Sequence, residues 1–176
     1  MSQDVKTFEA DFDQLIDGYV HPVDSPAGRA ASANLLKAWF AAVHSKNIAI
    51  MPGMMADDIV IELPFNESGK TDQQSYRIYR GKAEVTDFWA TAFKAEGVAH
   101  GISEADITFS ADGARVFIEC RAHLTMATGK EYRNRYVMRF DIRDGKIAHC
   151  KEYYNPIQSA FAFGRKIAGQ YLLETL

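Results

Sequence analysis

The strongest constraint on this chain is a change of period. Up to about residue 97 the longer apolar patterns repeat every three to four positions, and beyond it they repeat every second position. A period near 3.6 belongs to a helix with one covered face, and a period of 2 to a strand with one covered face. The alternating runs lie near 103–110, 114–126, 131–143 and 146–154. Asp112-Gly113, Thr128-Gly129 and Asp144-Gly145 separate them, and such pairs supply the left-handed backbone of tight hairpins. Helices first and a meander second predict an α+β domain, with helices packed on one face of a curved, mainly antiparallel sheet.

The first half supplies the helices. Val5, Phe8, Phe12, Leu15 and Tyr19 form an amphipathic stripe, so residues 1–24 read as an N-terminal helical extension ahead of a domain spanning 25–176. Ser25-Pro26 is an N-cap with proline in the first turn. The helix it opens carries Leu35, Leu36, Trp39, Phe40 and Val43 on one side. A short helix is expected near Asn47–Met51, stopped by Pro52-Gly53, and a strand over 58–63, closed by Pro64. Residues 66–80 read as a polar loop. Gly81-Lys82 leads into a helix with Val85, Phe88, Trp89, Ala92 and Phe93 on one face, ending at Gly97. Asn155-Pro156 caps a last helix carrying Ile157, Phe161 and Ile167.

The strand 131–143 fixes two faces. Tyr132, Asn134, Tyr136, Met138, Phe140 and Ile142 share one side, and Arg133, Arg135, Arg139 and Arg143 dominate the other. In the preceding strand Cys120, Ala122 and Leu124 match the first face, and Glu119, Arg121 and His123 the second. The last strand is ambiguous alone, and a one-residue slip turns every side chain over. A two-residue loop at Asp144-Gly145 pairs Met138 with Lys151, leaving a lysine on the apolar side. A three-residue loop starting at Arg143 pairs Phe140 with Ala148, Met138 with Cys150 and Tyr136 with Glu152. The second register is favoured, and it turns Glu152 inward beside Tyr154.

Bulk properties remove several classes of function. A net charge of −3 argues against a nucleic-acid partner, whose phosphates need a basic face. No apolar run is long enough for a membrane span, and the acidic, polar N-terminus does not read as a targeting peptide, so a cytoplasmic protein without a membrane partner is expected. Cys120 and Cys150, the two cysteines, then read as reduced, buried thiols. Asn66-Glu67-Ser68 matches a glycosylation acceptor but reads as a polar loop. The five histidines show no ligand-like spacing, so no metal site is expected.

The order of motifs resembles the nuclear-transport-factor-2-like superfamily. Those motifs are Ala56-Asp57-Asp58 through Pro64, Tyr79-Arg80-Gly81-Lys82 opening a helix, Arg139-Phe140 through Lys146-Ile147, and Glu152-Tyr153-Tyr154-Asn155-Pro156. The closest fit is the SnoaL-like, polyketide-cyclase group, and the phenazine-biosynthesis A/B proteins are also similar. Their Glu-Cys followed by Gly-His parallels Glu119-Cys120 and Ala122-His123, and their Arg-Glu-Phe-Met-Asn parallels 151–155. The resemblance implies a cone-shaped barrel of helices on a curved mixed sheet, of the ketosteroid-isomerase-like kind, with an apolar pocket and usually a homodimer. At the position of the ketosteroid isomerases' basic aspartate this chain has Leu63, and at about that of their oxyanion-hole tyrosine it has Trp39. The catalytic glutamate of the phenazine-pathway proteins matches Glu152, while their pocket histidine falls at Phe88. Scytalone-dehydratase-like members carry a histidine near the position of His100.

The candidates follow. Glu152 is the acid/base candidate, because a carboxyl buried among tyrosines is driven toward its neutral form. The alternative is a structural carboxylate bonded to Tyr136 or Tyr154. His100 is the second catalytic candidate. Trp39, Met55, Leu63, Phe88, Trp89, Cys120, Tyr132, Asn134, Tyr136, Met138 and Tyr154 are the candidate pocket wall. Together they suggest a cofactor-free isomerase, cyclase or dehydratase acting on a small hydrophobic or aromatic molecule. A non-catalytic carrier of such a ligand and a dimeric assembly domain are the alternatives.

Overall fold

A computed structural model of the protein describes residues 16–70 and 72–167. Val5, Phe8, Phe12 and Leu15, the core of the expected N-terminal stripe, lie outside the described residues. Among the described residues, three helices pack on a six-stranded mixed sheet. In chain order the elements are α1 (Pro26–His44), β1 (Met55–Leu63), β2 (Arg77–Arg80), α2 (Gly81–Ala95), β3 (Glu96–Phe109), β4 (Arg115–Met126), β5 (Glu131–Arg143), β6 (Lys146–Tyr154) and α3 (Pro156–Phe163). The strands lie in the order β2-β1-β6-β5-β4-β3, every neighbouring pair antiparallel except β1 with β6. The sheet is open, with β2 and β3 at its edges. Among the described residues no helix is long and apolar enough to cross a membrane.

The α+β expectation holds, and the local chemistry explains each junction. Ser25 Oγ accepts from Gly28 N at 3.0 Å and Pro26 fills the first turn of α1. Leu36, Trp39 and Ala42 then reach the core. Close approach decides Gly28: a Cβ there would stand 2.2 Å from the Asp112 carbonyl oxygen, so α1 can lie on the β3–β4 turn only without a side chain. Ser32 Oγ donates to Gly113 O at 2.8 Å in the same contact. At the far end Lys46 Nζ donates to Glu96 O at 2.6 Å, just beyond the C-terminus of α2, where a cation is favoured.

Several boundaries differ from the sequence reading. The turn after α1 is a 3₁₀ turn at Met51–Met54 with Pro52 inside it, rather than a helix stopped by that proline. The polar stretch 66–80 contains strand β2. Strand β3 begins where α2 stops, several residues before 103. In α3 the buried side is Ser159, Ala160 and Ala162, while Ile157 and Phe161 face out. Small residues let this short helix sit close to β5.

The β5–β6 ladder has the two-residue loop, not the favoured three-residue one, and neither of the pairings the two loops implied. Asp144 (φ 52°) and Gly145 (φ 67°) are both left-handed, and Arg143 pairs with Lys146, so the loop has two residues. A β-bulge follows: Ile142 pairs with Ile147, but Asp141 pairs with His149, leaving Ala148 as the extra residue. The bulge resets the alternation. Ile147 is fully buried, and Cys150, Glu152 and Tyr154 still turn inward. Glu152 therefore lies opposite Met138, and Tyr136 opposite Tyr154, one pair along from the expected register.

Candidate functional site

The concave side of the sheet and the three helices line a partly open cavity of about 410 Å³. That is within the roughly 300–1,000 Å³ common for small-molecule pockets. Each wall follows from strand alternation. Cys120 and Ala122 come from β4, Tyr132, Tyr136 and Met138 from β5, Glu152 and Tyr154 from β6, and Leu63 from β1. Phe88 and Trp89 of α2 close it, with Phe88 stacked on Tyr79 at 4.3 Å. A second hollow, on the outer side near Glu62, Asp141 and His149, is larger at about 690 Å³. It is more open and lined by charges already paired with one another, so the more apolar inner cavity is the better ligand site.

Glu152 is the one acid of β6 on this wall. It keeps some exposure, and that exposure is to the cavity. Among the described residues nothing hydrogen-bonds its side chain, neither Tyr136 nor Tyr154 included. Burial pushes its carboxyl up to about 7; the positive charge of Arg77 opposes the shift and the negative charge of Glu96 adds to it. Glu96, also on the wall, is itself pushed up by burial against the pull of Lys46.

Around the carboxyl lies a chain of neutral hydroxyls. Tyr132 and Tyr136 share a hydrogen bond of 2.7 Å, and Asn134 Nδ2 donates to Tyr132 Oη at 3.0 Å. Asn134 also donates to Asn155 O and accepts from Asn155 N, both at 3.0 Å, which locks the end of β6 to β5. Burial raises the Tyr132 hydroxyl to about 12 and Tyr136 well above its ordinary value. Both stay protonated, one donating to the other in their shared bond. Burial also raises the Cys120 thiol to about 11 and Cys150 well above its ordinary value, which removes them as nucleophiles. Arg77 donates through Nη2 to Tyr154 Oη and lies 3.9 Å from Glu67, while its buried Nε has no partner among the described residues.

The cavity thus gathers Glu152, Leu63, Phe88, Trp89, Cys120, Tyr132, Tyr136, Met138 and Tyr154 from the sequence candidates. Three candidate wall residues fall elsewhere. Trp39 and Met55 are fully packed core, at 1% and 0% exposure, and Asn134 stands behind Tyr132 as its hydrogen-bond donor. His100 does not line the cavity: it is exposed and meets Thr125 Oγ1 at 2.7 Å. The reason is a bulge in β3 between Ala99 and Gly101, which the alternation of neighbouring strands does not reveal. Arg77, Tyr79 and Glu96 were missed. The pairs Leu63–Arg77 and Ile61–Tyr79 turn the two β2 residues inward, and a four-residue strand inside a polar stretch carries no readable alternation.

With the geometry in place, residues 36–150 match the SnoaL-like domain family. The chain belongs to that family. Among curated proteins, uncharacterized protein YesE of Bacillus subtilis (strain 168) is 27% identical over 131 residues, covering 73% of this chain and 84% of that protein. Among solved structures, a Bacillus subtilis protein named "Putative Isomerase" superposes with a TM-score of 0.68 at 22% identity, over 80% of this chain and 98% of that one. A phenazine biosynthesis-related protein from Pseudomonas aeruginosa superposes at 0.61 with 17% identity, over 80% and 89%. At these identities the structural likeness is one of fold, and the fold is the nuclear-transport-factor-2-like one expected from the motifs.

Proposed function

We propose that this SnoaL-like chain is a cofactor-free enzyme that moves a proton within a small hydrophobic or aromatic substrate, with Glu152 as the acid/base group. Isomerisation, cyclisation and dehydration all share that step. One observation carries the reading: a carboxyl with no hydrogen-bond partner among the described residues, raised to about 7, faces an apolar cavity of about 410 Å³. A carboxyl so poised exchanges its proton readily at neutral pH, which is the condition for general acid/base catalysis. A structural carboxylate would instead be paired. Tyr136 and Tyr132, held protonated and sharing one hydrogen bond, leave one hydroxyl proton of the pair to donate to an oxygen that gains charge as the carbon-bound proton leaves. Phe88, Trp89 and Met138 supply the apolar walls that fix a flat substrate beside Glu152.

The names of similar proteins agree with this class, since they include an isomerase description and polyketide-cyclase descriptions. The experiment is a screen of enolisable aromatic ketones and polyketide-like compounds with the wild-type chain and Glu152→Gln. Turnover by the wild type and its loss in the variant supports the reading. Saturable binding with no turnover by either favours a carrier using the same cavity. A homodimer through the outer sheet face is part of the proposal, supported by Phe117 and Val137 standing 43% exposed there. Light scattering on the eluted protein tests it.

A further inference from the structure

The outer face of the sheet holds a second cluster, independent of the cavity. In β4 and β5 the odd-numbered residues face outward, so His123, Thr125 and Glu131 share that side, with Thr125 paired to Glu131 across the strands. His100 comes from edge strand β3. Its neighbours Ala99 and Gly101 pair with Leu124 and His123, leaving His100 as a bulged residue, and Gly101 has φ 122°. The bulge turns the His100 ring onto His123, with ring centroids 4.3 Å apart. Bulges that re-aim one side chain are common beside functional groups.

The polar atoms of the cluster converge. His123 Nε2 lies 2.5 Å from Glu131 Oε2, Thr125 Oγ1 donates to Glu131 Oε1 at 2.9 Å, and His100 Nε2 meets Thr125 Oγ1 at 2.7 Å. One carboxylate thus gathers both imidazole groups, one directly and one through a hydroxyl. The ligand atoms of His100, His123 and Glu131 all lie within 4.8 Å of one another. Around a tetrahedral zinc such atoms stand about 3.3 Å apart, given metal–ligand bonds of about 2.0–2.1 Å. Rotation of three surface side chains, tilting apart the two imidazole rings that lie 30° from parallel, would close that difference. Two imidazole nitrogens and one carboxylate are a donor set for d-block divalent ions rather than for magnesium or calcium. Arg133, whose Nη2 lies 3.5 Å from Glu131 Oε2, is the positive charge that an ion would have to displace.

We propose that His100, His123 and Glu131 form a zinc-type divalent-metal site, with Thr125 beside them, that staples edge strand β3 to β4 and β5. Each histidine would ligate through Nε2 and carry its proton on Nδ1. Three protein ligands leave a position for water. Histidines 23 residues apart in the chain have no motif spacing, and only the strand pairing brings them together.

Zinc chloride titrated into the full chain, followed by calorimetry in a non-chelating buffer at pH 7.5, tests the site. The wild type is expected to take up one equivalent. His100→Ala, His123→Ala and the near-isosteric Glu131→Gln should each weaken binding at least tenfold, while His44→Ala leaves it unchanged. Zinc should also raise the melting temperature of the wild type and not that of Glu131→Gln, which keeps the surface shape and so separates lost ligation from lost folding. No saturable uptake by the wild type overturns the proposal. Equal uptake by Glu131→Gln and by either histidine variant overturns it as well.

Discussion

The two sides of one sheet treat carboxylates in opposite ways. On the concave side Glu152 has no hydrogen-bond partner among the described residues, and burial drives its carboxyl up to about 7. On the outer side Glu62 lies 2.8 Å from Lys151 Nζ, and Glu104 bonds Arg121 and Arg135. Burial resists ionisation of Glu62, but Lys151 outweighs it and holds the carboxyl below its ordinary value. The Arg121 and Arg135 hydrogen bonds hold Glu104 low as well. Lys151 and Glu152 are adjacent in the chain, so composition does not explain the difference. The pleat does: it turns Glu152 to the covered side, where Arg77 is committed to Tyr154, and turns the acids of the outer side toward lysine and arginine partners. The same kind of acid is therefore an ion-pair member on one face and an unpaired carboxyl, raised by burial, on the other.

The largest expected effect tests that contrast in turnover. Glu152→Gln should lower kcat/KM on any substrate found by about 10²–10⁴-fold, the usual worth of a positioned acid or base. Glu119→Gln, on the outer side, should stay within twofold. Equal losses in the two variants would erase the distinction between the faces.

Next is the pH dependence of stability, where the two faces have opposite signs. The folded-state value for Glu152, about 7, stands above its unfolded value, so its ionisation destabilises the fold. That cost is absent below about pH 4.5 and complete above about pH 7. Glu152→Gln should then stabilise the protein at pH 8 by up to about 3 kcal/mol, and by nothing at pH 4. Glu62 behaves in reverse, because its folded value is lowered. Its contribution is present above the unfolded carboxylate range and is lost as pH falls through the folded value. Glu62→Gln should destabilise by about 1–2 kcal/mol at pH 7, leaving Lys151 without its partner, and less at low pH. Urea unfolding of both variants at pH 4, 6 and 8 gives the two slopes.

The smallest effect sharpens the role of the hydroxyls. Tyr136→Phe removes one partner of the 2.7 Å bond to Tyr132, at a cost of about 1 kcal/mol in unfolding. If Tyr136 orients substrate, kcat/KM should fall by about tenfold with the pH profile unmoved.

Much of this division was legible in the sequence. The alternation in 131–143 separated the arginine side from the tyrosine side, and the helix stripes placed Phe88 and Trp89 over the tyrosines. Glu152 was read as inward, and it is, although by a different route. The sequence allows two loops, each implying an unbroken ladder, whereas the chain combines a two-residue turn with a bulge at Ala148. A bulge leaves no periodic mark, because one extra residue shifts the phase without changing composition. His100 rested on resemblance alone, ahead of the strand expected at 103–110, and the bulge in β3 turns it outward. Trp39 and Met55 were misread for another reason: periodicity tells which side of an element is covered, but not whether the cover is a side chain or a cavity. Arg77 was hidden because four residues of edge strand inside a polar stretch give too little alternation to read.

The most direct measurement is the titration of the Glu152 carboxyl itself. The full chain, labelled with carbon-13 at the glutamate side chains, is followed by NMR from pH 3 to pH 9, with Glu152→Gln identifying the signal. A midpoint near 7 is the expected result, and it establishes a carboxyl poised for proton transfer in the apolar cavity. A midpoint in the ordinary carboxylate range, near 4.5, would contradict the account, since Glu152 would then be solvated or paired like the acids of the outer face.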